Sequence, residues 1–183
     1  MGKHFEALNE HLTDFITRQP MFFVGTAPLN QDGLVNISPK DGSRFKVLGP
    51  RRVAYLDRVG SGIETVAHIR ENQRITLMFC AFEGSPLIVR LYGKGSIVFP
   101  QDDAWADRYA AFDAEEGARS IITVDVSRVG TSCGFGVPVM SFERHRTQLD
   151  EWIERKSDQL DSYREKFNMK SLEGLPGLPA TND

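Results

Sequence analysis

The chain has 183 residues, 22 of them Lys or Arg and 25 Asp or Glu, for a formal net charge of −3. A hydrophobic share of 40% and a charged share of 26% are ordinary for one folded domain and too apolar for a disordered chain. The mildly acidic balance argues against general nucleic-acid binding, which needs a basic footprint. No apolar run approaches the roughly 20 residues that cross a bilayer. The polar start does not read as a secretory signal, and two cysteines, Cys80 and Cys133, cannot build a disulfide framework. The expectation is one cytoplasmic domain over residues 1–183, with reduced thiols and neither membrane nor nucleic-acid partners.

Residues 5–18 predict a helix, with Phe5, Leu8, Leu12, Phe15 and Ile16 on one face and Pro20 as its stop. Strands are expected at 21–27 and 34–38, joined by a turn at Asn30, Asp32 and Gly33. Pro39 should end pairing. A loop through Gly42, Gly49 and Pro50 then leads to a strand at 53–57. Gly60-Ser61-Gly62 opens a short helix at 63–72, and Ser61 and Glu64 have the spacing of a capping box. Strands at 75–82 and 87–98 follow, then a helix at 102–112 with Asp102 or Asp103 near its cap. A strand at 120–126 gives way to a Gly-rich irregular segment at 130–138. Residues 142–168 read as one long amphipathic helix or two joined ones, with Leu149, Trp152, Ile153, Leu160, Tyr163 and Phe167 on a shared face. An extended tail starts at Gly174, and residues 142–183 should pack on the rest. Strands joined by turns indicate a mainly antiparallel sheet with helices outside, not a doubly wound parallel one.

Between residues 40 and 58 lie Lys40, Arg44, Lys46, Arg51, Arg52 and Arg58, against only Asp41 and Asp57. A basic stretch in an acidic chain suggests a small anionic ligand; the plain alternative is a solvated loop. Asn36, Ser38 and Lys40 alternate, so a strand would present them on one face, a set suited to a phosphate or a polar ring edge. Arg58 to Gly62 adds a cation, free N–H groups, a hydroxyl and a helix start, which attracts anions. Against this, Ser61 and Glu64 could merely cap that helix.

Gly130-Thr131-Ser132-Cys133-Gly134 matches the G-x-S-x-G of serine hydrolases, but Phe135-Gly136-Val137-Pro138 cannot start the helix that motif requires. Only His145 lies downstream as a base. His4, His11, His68 and His145 are scattered and no metal-ligand spacing occurs, so no metal is expected. Neither phosphate-loop nor dinucleotide fingerprints are present.

Taken together, Asn36-Ile37-Ser38-Pro39-Lys40, Asp57-Arg58-Val59-Gly60-Ser61-Gly62-Ile63-Glu64-Thr65, Arg74 to Phe79, Val89 to Gly93, Thr131-Ser132-Cys133-Gly134-Phe135, and Tyr163 to Leu178 resemble the pyridoxamine 5′-phosphate oxidase-like family. The likeness covers nearly the whole chain. It implies a six-stranded antiparallel split β-barrel with flanking helices, a homodimer, and FMN in a groove at the subunit interface. It also implies that Ser38 and Lys40 lie along the flavin, and that Arg58, Val59, Ser61, Gly62, Glu64 and Thr65 surround its ribityl phosphate. Asn36 and Arg90 complete the expected cofactor set, and Thr131, Ser132 and Cys133 the substrate side. The chain departs from the vitamin B6 oxidases of that family. Ile63-Glu64-Thr65 stands where they carry Ser-Arg-Lys, only Arg90 is kept of their two-arginine strand, and Glu143-Arg144-His145-Arg146 does not match their Arg-x-His element. The implied activity is FMN-dependent oxidation or reduction of a small molecule, with NAD(P)H as a possible electron donor. The alternatives are a flavin carrier or sensor without turnover, and a hydrolase using Ser132.

Overall fold

Strand β2, Met21–Thr26, alternates half-buried and buried residues, so Phe22, Val24 and Thr26 face inward. In this computed structural model, which describes residues 2–112 and 116–180, β2 is one of eight strands in a single antiparallel sheet. The others are β1 His4–Phe5, β3 Asn36–Asp41, β4 Phe45–Gly49, β5 Arg52–Arg58, β6 Arg74–Cys80, β7 Ile88–Val98 and β8 Ala118–Ser132. The helices are α1 Glu10–Thr17, α2 Glu64–Asn72, α3 Trp105–Tyr109, α4 Gln148–Arg155 and α5 Leu160–Phe167. Strand order is β3-β2-β6-β7-β8-β5-β4, with β1 added on β8. The sheet curls into a half-barrel flanked by the helices.

The curl is visible in the core. Phe22 on β2, Phe45 on β4, Tyr55 on β5 and Phe79 on β6 come from opposite ends of that order, yet their rings meet. Phe22 lies 5.3 Å from Phe45, 5.4 Å from Tyr55 and 5.4 Å from Phe79. Such pairs add about 0.5–1.5 kcal/mol each beyond burial. Leu12, Phe15 and Ile16 of α1 and Val66 and Ile69 of α2 close the same core. A smaller cluster of Val59, Ile153 and Leu160 docks α4 and α5 beside the end of β5.

The split-barrel expectation holds, with eight strands instead of six. The additional strands are β1 and β4. Phe5 belongs to β1, pairing with Val129, so the first helix starts only after its Asn9 cap, whose side chain accepts from Leu12 N. Strand β4 hid behind Gly42, Gly49 and Pro50. Pro39 does not end pairing: it lies inside β3, opposite Phe23, because β3 is an outer strand, where a missing N–H is tolerated. Strand β8 runs on through Gly130, Thr131 and Ser132, which were expected to be irregular. It ends near Gly134, at φ 71°. The helix at 102–112 shrinks to α3, capped by no side chain; Asp102 instead accepts from Phe99 N. The long C-terminal helix is two, broken by a 3₁₀ turn at Ser157–Gln159, and residues 142–147 stay outside regular structure. Of the tail, residues 181–183 lie outside the described residues.

Two bulges shape β8. One sets Ser127 as an extra residue between the pairs Tyr92↔Arg128 and Gly93↔Val126; the other does the same with Arg119, between Asp57↔Ser120 and Arg58↔Ala118. A bulge re-aims a side chain, and Arg119 turns into the protein interior at 5% exposure.

Replacing Phe79, fully buried against the rings of Phe22 and Phe45, with Ala should cost about 3–5 kcal/mol. Urea unfolding should show a lowered midpoint with an unchanged slope.

Candidate functional site

The curl leaves a groove of about 910 Å³ beside β3 and the end of β5. Ligand clefts usually have roughly 300–1,000 Å³. Ser38 and Lys40 line one wall, and Arg58, Val59, Gly62, Glu64 and Thr65 the other. These seven predicted residues therefore converge, although they come from separate segments of the chain. Strand β3 alternates, so Ser38 and Lys40 share a face.

Asn36 stands one layer behind. Its Nδ2 donates to Thr65 Oγ1 at 3.0 Å and Thr26 Oγ1 at 3.1 Å, and its Oδ1 accepts from Ser38 Oγ at 3.2 Å. Ser61 is exposed and outside the lining. Arg90 also lies elsewhere, donating to Ser132 Oγ at 2.8 Å. Thr131, Ser132 and Cys133 do not line the groove within one chain. Ser132 sits in the β8 ladder opposite Ile88, not on a strand-to-helix turn, and His145 pairs with Asp41 at 3.3 Å. That arrangement is not a nucleophile with its base. Among the described residues no His, Cys, Asp and Glu group could hold a metal ion, and no helix is long and apolar enough to cross a membrane.

The capping box does not form. The residue before α2 is Ile63, and no side chain caps the helix. Glu64 turns away toward the tail, accepting from Leu172 N at 3.4 Å. In the preceding turn, the Gly60 carbonyl faces the protein, accepting from Arg119 Nη1 at 3.2 Å and Asn168 Nδ2 at 2.9 Å. The N–H groups of Gly60, Ser61 and Gly62 make no hydrogen bond to the described residues. A run of free N–H groups ahead of a helix start is an anion-binding arrangement.

The groove's electrostatic anchor is Asp57, 1% exposed. Lys40 Nζ lies 3.0 Å from one of its oxygens, and Arg119 Nε 2.6 Å from the other. Ser120 Oγ donates to it at 3.3 Å. Burial alone would raise this carboxyl, but the charges of Arg119 and Lys40 outweigh burial and hold it well below the ordinary carboxylate range. Tyr55 is the opposite case. Burial, then the Asp57 charge, pushes its phenol far up, so it stays neutral. Tyr55 lines the groove, and its buried hydroxyl has no partner among the described residues, which is unusual for a buried polar atom.

Sequence reasoning missed Arg119, Tyr55 and the segment 140–150. Met140 to Arg146, with Leu149 and Asp150, forms the outer wall. Asp150 lies 2.6 Å from Arg58 Nη1 and 3.9 Å from Arg44 Nη2, and Arg44 also pairs with Asp41. The local basic excess is thus largely compensated by acids from elsewhere. Six Lys and Arg face four Asp and Glu in the lining, and Asp57 stands directly behind. The available signal was Arg119 itself, a charge at the start of β8 just before the mostly apolar run Ile121 to Val124.

The family profile for pyridoxamine 5′-phosphate oxidase matches residues 8–133. The chain belongs to the pyridoxamine 5′-phosphate oxidase family. It is 38% identical over 192 residues to the pyridoxamine 5′-phosphate oxidase family protein ustO of Aspergillus flavus, covering 95% of this chain and 77% of that one. Among solved structures it is similar to HupZ from Group A Streptococcus, with TM-score 0.52, 19% identity, and coverage of 67% of this chain and 91% of that one. It is also similar to the FAD binding protein from Mycobacterium smegmatis, with TM-score 0.48, 16% identity, and coverage of 69% and 95%. The HupZ match speaks to the fold alone.

Removing Asp57 strands two cations. Asp57→Asn should destabilise the protein by about 3–5 kcal/mol at neutral pH. Because the folded carboxyl is depressed, its contribution is complete above the unfolded value near roughly pH 4 and fades as pH falls further. The variant should therefore lose less stability than the native protein on acidification below that point, as read by urea unfolding across pH.

Proposed function

We propose that the groove binds FMN and that the protein is an FMN-dependent oxidoreductase acting on a small molecule. The observation that carries this is the convergence of Ser38, Lys40, Arg58, Thr65 and the unengaged Gly60–Gly62 backbone on one groove of suitable size. The residues fit a flavin mononucleotide. Gly62 carries no side chain, and its one close neighbour is the flexible end of Glu64, whose Oε2 lies 2.7 Å from where a Cβ would stand. The hydroxyl of Tyr55, a residue of the groove lining, is buried and has no partner among the described residues. The phosphate belongs at the turn and Arg58, and the ring along Ser38 and Lys40. When bound, the flavin supplies the redox chemistry, and the protein supplies orientation and electrostatics. Lys40, already polarised by Asp57, favours negative charge on a ring beside it.

The functional unit in this reading is a homodimer. The exposed apolar residues Leu34, Val35 and Ile37 on and before the outer strand β3 are the surface a second copy would cover, and Thr131, Ser132 and Cys133 reach the substrate side only from that second copy. The unpaired Cys80 and Cys133 suit a cytoplasmic setting. Pyridoxamine 5′-phosphate is not the substrate proposed, given Ile63-Glu64-Thr65 at the helix entry.

Purified protein should show a flavin absorption spectrum, or acquire one on adding FMN, and the colour should bleach anaerobically with NADPH or NADH. Bound flavin that stays oxidised with both would favour a carrier; no uptake at all overturns the reading. Lys40→Ala should weaken FMN binding about tenfold or more, since a charge-assisted bond contributes roughly 1.5–3 kcal/mol.

Asp150 competes with the ligand for Arg58. Asp150→Asn should therefore tighten FMN several-fold and leave riboflavin, which lacks the phosphate, unchanged. Equal effects on both ligands in a fluorescence titration would place the phosphate away from Arg58.

A further inference from the structure

His68 on α2 is fully buried and takes no direct part in the groove. It is nevertheless connected to it. Its Nδ1 lies 3.0 Å from Thr26 Oγ1, and Thr26 leads through Asn36 to both Ser38 and Thr65. Its other nitrogen, Nε2, has no hydrogen-bond partner among the described residues but stands 3.7 Å from Glu173 Oε2.

One order of the hydrogens satisfies this chain and the Glu173 carboxylate beside it. Both N–H bonds of the Asn36 amide go to the hydroxyls of Thr26 and Thr65. Thr26 gives its one hydrogen to His68 Nδ1 in the arrangement that leaves the ring proton on Nε2, toward the Glu173 carboxylate. Nδ1 is then the acceptor, and the neutral ring carries its proton on Nε2, facing Glu173. At the other end, Asn36 Oδ1 takes the Ser38 hydrogen. Ser38 can therefore only accept from a ligand in the groove, while Thr65, whose oxygen already accepts, keeps its hydrogen to donate.

The reverse order would turn Asn36 over, place the proton on Nδ1, and set the bare lone pair of Nε2 against the Glu173 carboxylate. That is repulsive at 3.7 Å. Glu173 is held as an anion. Burial would raise its carboxyl, but hydrogen bonds from Ser171 Oγ at 3.0 Å and Leu34 N at 3.1 Å, with a backbone bond of its own, lower it.

We propose that His68 is a positioning residue whose tautomer, selected by Glu173 on the C-terminal tail, sets Ser38 as an acceptor and Thr65 as a donor toward the groove. The ligand must then present an N–H or O–H at Ser38 and an oxygen or oxyanion at Thr65. Resting on the flavin reading, this matches a ring imide or ribityl hydroxyl at Ser38 and a phosphate oxygen at Thr65, and it makes the pair a specificity determinant.

Two experiments test it. The first needs no ligand: long-range proton–nitrogen NMR on the flavin-free protein should find His68 protonated at Nε2 and bare at Nδ1. Glu173→Gln should shift that balance toward the other tautomer. A native protein with Nδ1 protonated overturns the proposal, whether or not flavin binds. The second is a double-mutant cycle on FMN affinity. Ser38→Ala should cost about tenfold in the native background and less than twofold in His68→Phe. His68→Asn, whose amide oxygen can stand in for Nδ1, should bind within about threefold of native. Equal costs of Ser38→Ala in both backgrounds would refute the coupling. Should His68→Phe fail to fold, the same cycle run with Glu173→Gln separates the two outcomes in the same way. A native protein that takes up no flavin ends the flavin reading alone and leaves the NMR result to judge the relay.

Discussion

One buried carboxylate organises the groove. Asp57 sits at the end of β5, where the core gives way to the open face, and its two oxygens are shared by cations from different parts of the sheet: Lys40 from β3 and Arg119 from the β8 bulge. Strands β3 and β8 are not neighbours in the sheet, so this contact helps hold the half-barrel in its curl. A buried ion pair contributes little net stability over an apolar substitute. What it does here is fix three charges in direction, with Lys40 still 23% exposed toward the groove. The bulge at Arg119 is part of the same arrangement. Without the extra residue, the alternation of β8 would carry Arg119 to the outer face of the sheet.

The parts legible in the sequence are those encoded locally. Alternation along Met21 to Thr26 and helical spacing in α1 follow from side-chain period alone. Ser38 and Lys40 share a face because a strand has period two, and Gly60-Ser61-Gly62 breaks the chain at the turn beside the groove. The residues that escaped are those whose meaning depends on distant partners. Pro39 reads as a stop until β3 is known to be an outer strand. Ser132 matches a nucleophile motif that the Phe135-Gly136-Val137-Pro138 run already argues against, and it proves to be the last residue of the β8 ladder. The Ser61–Glu64 spacing suits a cap, yet Glu64 bonds to Leu172, over a hundred residues away.

Charge was the least legible property. The basic stretch from Lys40 to Arg58 reads as an open anion site because its acids arrive from elsewhere in the sequence. Asp150 comes from α4, carried there by Ile153, which packs against Val59. A Cβ at Gly117 would come within 2.5 Å of Ile153 Cδ1, so that packing rests on a position without a side chain, at φ 77°. Two apolar contacts therefore decide where a carboxylate stands relative to Arg58, and no local pattern in either segment encodes it.

The segment from Asn168 onward, the end of α5 and the tail together, is more than a cover. Four of its residues bind different parts of the groove's supporting wall. Asn168 holds the Gly60 carbonyl, Leu172 bonds Glu64, Glu173 faces His68, and the Gly177 carbonyl accepts from Arg70. Gly177 has no room for a side chain there, since a Cβ would come 2.2 Å from the Asn168 carbonyl oxygen. Each contact is weak alone, but together they act on the turn, the helix start and the buried histidine, the elements that set which hydrogen-bonding groups face the groove. Loss of the tail would leave the Gly60 carbonyl held by Arg119 alone and remove the charge that selects the His68 tautomer. The groove would then keep its walls and lose its polarity, because the polarity is set from behind, by residues that do not line it.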